Sequence, residues 1–150
     1  MSARIRFALA AVSFGLAFGG AAAGQPSPGS SATGPDRPTA QAYFQAFDRL
    51  CQADAGHLWG VSLCGPMLFA DEESRVVLAN RPDALGALNA RGGVFEGRLP
   101  PQVAIANTGV DWSGVRWTML MWPLPQSEAG RMVLMAHESF HRIQPALGVR

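Results

Sequence analysis

Two histidines and a glutamate stand close together in AHESFH, the stretch from Ala136 to His141. In a helix, residues four apart are one turn away, about 6 Å along the axis, so His137 and His141 project from one face. Zinc takes neutral imidazole nitrogens at about 2.0–2.1 Å, and this spacing lets both rings close on one Zn2+ ion. Glu138 is placed to act as general base, taking a proton from water that the metal has made acidic. With 3 His and 5 Glu in 150 residues, chance would supply roughly 0.002 such patterns per chain, so the stretch is specific despite its brevity.

A catalytic zinc site needs three protein ligands and one open position, and the motif supplies two. The one other histidine is His57, in DAGHLWG. It reads as a turn histidine, with closure of the zinc site as the alternative. Asp71, Glu72 and Glu73 have metal-binding chemistry, but their clustering between two apolar runs predicts a solvated hairpin tip. Asp54 and Asp111 read as turn or loop residues.

The elements that would hold these groups follow from pattern. The run 127–144, SEAGRMVLMAHESFHRIQ, predicts a helix with Ser127 as N-cap, ended by Pro145. Phe140 and Ile143 are expected on its core side. Before it, VRWTMLMWPLP predicts a strand from Val115, stopped by Pro123 and Pro125. At the other end, TAQAYFQAFDRLCQADAG predicts a first helix with Thr39 as N-cap and Gly56 as its stop. Between them, GVSLCGPMLFAD and RVVLAN predict a hairpin, and GGVFEGRLP and VAIANTG shorter strands. The fold class is α+β: an N-terminal helix, an antiparallel strand meander, then the helix bearing the motif.

HESFH at 137–141, with the strand VRWTMLMW ahead of it, resembles the active-site region of the HExxH metallopeptidases, the zincins, and in particular the N-terminal half of a gluzincin. The resemblance implies a zinc-dependent peptidase acting on a peptide or protein substrate, with His137 and His141 as ligands and Glu138 as general base. It also implies that the strand at the cleft edge aligns an extended peptide by backbone hydrogen bonds, which makes Val115–Trp122, or a strand beside it, the substrate ledge. Two departures stand out. Where metzincins carry a glycine and a third histidine, this chain has Gln144 and Leu147. The gluzincin glutamate lies on a later helix, so the expectation is that this chain is an N-terminal portion of a longer protein and that residues 39–150 form a domain incomplete at its C-terminus. The competing expectation is a non-catalytic exported binding module or pseudo-enzyme that keeps the helix without the chemistry.

The rest of the composition narrows the setting. The net charge is +1, and all 12 basic residues are arginine, so no basic face points to nucleic acid. Residues 1–23 read as a signal peptide: Arg4 and Arg6, a short apolar core, then Ala21-Ala22-Ala23 before cleavage at Gly24. The apolar run is shorter than the ~20 residues a membrane span requires, so no stable membrane insertion is expected after cleavage. Residues 24–38 are a Pro/Gly/Ser linker expected to be disordered. The protein is expected to be periplasmic or secreted. Cys51 and Cys64 fit that oxidising setting as a disulfide, with two separate buried thiols as the alternative. No phosphate-binding glycine loop and no Gly-x-Ser-x-Gly elbow occurs; Gly92-Gly93 is only a turn signal.

Overall fold

Helix α1 spans Arg37–Asp54. Its first turn is closed by Asp36, whose carboxylate accepts the Thr39 backbone N–H at 3.0 Å. The cap therefore falls three residues before Thr39, because Pro38 suits the first helical turn and the acid ahead of it satisfies a free donor. The linker expectation is shortened accordingly: the computed structural model describes residues 34–148, and the last residues of 24–38 belong to the helix start. The signal-peptide expectation at 1–23 lies outside the described residues, as does most of the linker.

Six strands follow: β1 Met67–Asp71, β2 Val76–Ala79, β3 Asn89–Arg91, β4 Val94–Arg98, β5 Thr108–Trp112 and β6 Val115–Trp122. Helix α2 covers Glu128–Ile143, with Ser127 accepting from Gly130 N–H as its cap. A short 3-10 turn, Gln144–Leu147, closes the described chain. The α+β class and the order of helix, strands and helix are those read from the sequence. All strands lie in one sheet, ordered β3-β4-β2-β1-β6-β5. Every pairing is antiparallel except β1–β6, which is parallel, so the meander is interrupted at its centre and the sheet is mixed.

Local differences from the sequence reading have local causes. The β1–β2 hairpin forms across 72–75, but its first strand begins only at Met67. The residues before it, from Gly60, are loop, tied to the disulfide and to Arg142. VAIANTG enters the sheet only at Thr108, because Val103 and Ile105 pack beneath the sheet instead of pairing in it. Gly92-Gly93 makes the β3–β4 turn, with both glycines at positive φ.

Strand β1 is buried along its whole length, as expected for a strand covered on both faces. On one face Met67, Phe69, Leu78 and Leu120 meet Phe44, Phe47 and Cys51 of α1 and Met135 and Ile143 of α2. Phe44 stacks on Phe69 with ring centroids 4.3 Å apart. On the other face Leu68, Val77, Trp117 and Met119 are covered by Leu88 and Leu99 from the connecting loops. Asp83 ties one of those loops down, accepting from Ser113 Oγ and from the N–H groups of Leu85, Ala87 and Leu88. Burial alone would raise its pKa, but these donors win and hold it well below the carboxylate range. Since Ser113 sits in the β5–β6 turn, the clasp fixes the sheet edge nearest α2.

Helix α2 approaches that edge closely. A β-carbon on Gly109 of β5 would lie 3.0 Å from Cα of Arg142. Gly109→Ala is therefore expected to cost about 1–3 kcal/mol, read as a lower urea midpoint; an unchanged midpoint would mean that the helix moves freely off the strand. The Cys51–Cys64 disulfide is formed, with Cα atoms 5.4 Å apart and a separation of 13 residues. Its reduction is expected to remove about 3 kcal/mol, measurable as the difference between urea transitions with and without dithiothreitol.

Candidate metal centre

The motif lies within α2, as its helix-forming context implies. Met135, Glu138, Ser139 and Ile143 are the buried positions, a sheet-facing stripe at helical spacing. His137 is exposed and His141 half-buried, on the flank of that stripe. Their Nε2 atoms lie 3.1 Å apart, and the rings are nearly perpendicular at 87°. Two Zn–N bonds of about 2.0–2.1 Å at the tetrahedral angle require nitrogens about 3.3–3.4 Å apart. The observed separation is within about 0.3 Å of that spacing.

Glu138 is only 5% exposed. Its Oε2 is buried without a hydrogen-bond partner among the described residues. Burial pushes its carboxyl above the ordinary glutamate range, while positive charge on His137 and His141 would draw it back. No protein donor engages this carboxylate, which faces the buried stripe and does not join the two imidazoles in a group of ligand atoms within 4.8 Å of one another.

Around the motif, Arg142 donates to the carbonyls of Leu63 at 3.0 Å and Cys64 at 3.2 Å. This joins the helix to the disulfide loop. Phe140 packs against Trp59, ring centroids 4.5 Å apart. His141 Nδ1 lies 2.6 Å from Gln144 Oε1. The motif pattern by itself points to neither Arg142 nor Gln144 as part of the site, although an amide three residues past a histidine is a helix neighbour of it.

No third ligand joins the pair among the described residues. The one group of three metal-ligating side chains there is Asp48, Cys51 and Cys64, two of which are the disulfide. His57 is exposed in the turn after α1, with Nδ1 at 2.5 Å from the Asp54 carbonyl, in keeping with a turn role. Glu72 and Glu73 are exposed at the hairpin tip, whereas Asp71 is buried and accepts Ser74 N–H at 2.6 Å. Asp54 ends α1 and accepts from Gly56 and Leu58 N–H in the turn that follows; Asp111, expected in a turn or loop, instead stands in β5 and pairs across the strands with Arg116 of β6.

The substrate ledge expected at Val115–Trp122 is corrected in one respect. Strand β6 is an inner strand, paired by β1 over Thr118–Trp122 and by β5 over Val115–Met119. The open edge on the α2 side of the sheet belongs to its neighbour β5. No helix of the described residues is long and apolar enough to cross a membrane. No family model, curated protein or solved structure matches this chain. What the site can do therefore follows from its own geometry.

Because Glu138 has its folded-state pKa raised, its favourable contribution is present below the unfolded glutamate value and is lost as pH rises through the folded one. In chelator-treated protein, Glu138→Gln is expected to raise the melting temperature at neutral pH and to flatten its fall between acid and neutral pH. Equal melting curves for the two proteins across that range would contradict this.

Proposed function

We propose that the chain is the zinc-binding part of an exported HExxH-type metallopeptidase, with His137 and His141 as ligands and Glu138 as general base. The observation that carries this reading is the pair of His137 and His141 Nε2 atoms 3.1 Å apart on one face of α2. A bound zinc ion would supply Lewis acidity to a water molecule and to a substrate carbonyl. Glu138 would take a proton from the attacking water on a carboxylate oxygen and return it to the leaving amine. A peptide in extended form can add to the open edge of β5, beside α2, through backbone hydrogen bonds. The third ligand comes from outside the described residues. Export is supported by the Cys51–Cys64 disulfide, which persists in oxidising compartments, and by the signal-like residues 1–23.

A second reading is favoured by one specific observation, the lack of a third ligand among the described residues. It is a non-catalytic exported module that retains the helix without hydrolysis.

Zinc content and hydrolysis of an unfolded polypeptide separate the two. On the peptidase reading, His137→Ala and His141→Ala each abolish stoichiometric zinc. Glu138→Gln keeps zinc and lowers hydrolysis by about 10²–10⁴-fold. A protein that binds no zinc, and whose melting temperature ignores chelator, supports the non-catalytic module.

A further inference from the structure

The two histidines are not equivalent, and the difference is written in their second nitrogens. Gln144 caps α2 with φ −46°, its own N–H bonded to Phe140 O. Pro145 follows, and the chain continues in the 3-10 turn Gln144–Leu147. Held there, the Gln144 side chain reaches back to His141, with Oε1 at 2.6 Å from Nδ1. An amide oxygen carries no hydrogen, so Nδ1–H of His141 must donate. That leaves the lone pair of His141 on Nε2.

The same bookkeeping fixes His137. His141 Nε2 has no hydrogen in this tautomer, yet it lies 3.1 Å from His137 Nε2. In the metal-free protein His137 must therefore donate through Nε2–H. We infer that Gln144 is the positioning residue of the site: it locks His141 as the preset ligand, whereas His137 must move its proton from Nε2 to Nδ1 when metal arrives. Both rings stay neutral in that change, so no net proton is released. The inference deepens the zinc-site reading and rests on it for its metal consequence, but the tautomers exist without metal.

Tautomer and metal affinity can therefore be read separately. Two-bond proton–nitrogen correlation spectra of the imidazoles, recorded on chelator-treated protein well above the ordinary histidine pKa of about 6.5, report each tautomer directly. His141 is expected as Nδ1–H and His137 as Nε2–H. Gln144→Leu should return His141 to a predominantly Nε2–H form, while Gln144→Glu keeps an acceptor and should preserve Nδ1–H. Zinc affinity, measured by competition with a chromophoric chelator, should fall about 10–100-fold in Gln144→Leu and recover to within a few-fold of the parent in Gln144→Glu.

Finding His141 as Nε2–H in the parent protein would overturn the inference. So would equal zinc affinity in Gln144→Leu and the parent. A locked His141 tautomer in a protein that binds no zinc would support the lock and overturn the zinc-site reading instead. Circular dichroism of the Leu and Glu variants identifies any loss of fold, and the imidazole tautomers of the parent protein carry the test if the Leu variant unfolds.

Discussion

The site helix is held where side chains are missing. Above β5, Cα of Arg142 on α2 lies 3.0 Å from where a β-carbon on Gly109 would stand. On its other flank the Arg142 guanidinium lies over Gly65, in space that a β-carbon there would occupy at 2.4 Å from Cζ. The same guanidinium holds the carbonyls of Leu63 and Cys64, and Cys64 is bonded to Cys51 on α1. One arginine thus gathers both helices, the disulfide loop and the sheet edge next to His141. The 3.1 Å spacing of the imidazoles is set within α2 by their four-residue separation, and that arrangement fixes where the helix presents them.

Much of this is legible in the order of residues alone. Ser127, the helix formers after it and Pro145 delimit α2 almost to the residue, since caps and breakers act locally. The acidic turn between two apolar runs announces the β1–β2 hairpin for the same reason. The parallel union of β1 with β6 is not legible: both strands read as apolar runs, and nothing local says which distant run will lie alongside. Thr39 has the chemistry of a cap, and loses to Asp36 because a proline inside the first turn shifts the start upstream. VAIANTG has strand composition, yet Val103 and Ile105 serve as a lid under the sheet.

Within the site, the ligating types and their spacing are readable, and their surroundings are not. Glu138 reads as a cleft residue by proximity to His137. Its neighbours along the helix turn it toward the buried stripe, where Oε2 meets no donor. In the sequence Gln144 stands out only as a departure from a glycine. Its role is visible once the helix is seen to continue to Ile143, which brings residue 144 back over residue 141. Hydrogen-bond partners of this kind depend on where a helix ends, and that is where sequence patterns are least exact.

The parallel pairing at the sheet centre has a kinetic consequence. Met67 pairs with Thr118 and Asp71 with Trp122, so the middle of the sheet cannot close until the chain as far as β6 exists. The hairpins on either side can form early, but each leaves an unpaired edge until the long loop between them is closed. Helix α2 follows β6 and docks on β5 and β6, so it has no finished platform before that closure. The sheet centre therefore joins residues about fifty apart in sequence, and closing it comes late in folding, after both hairpins.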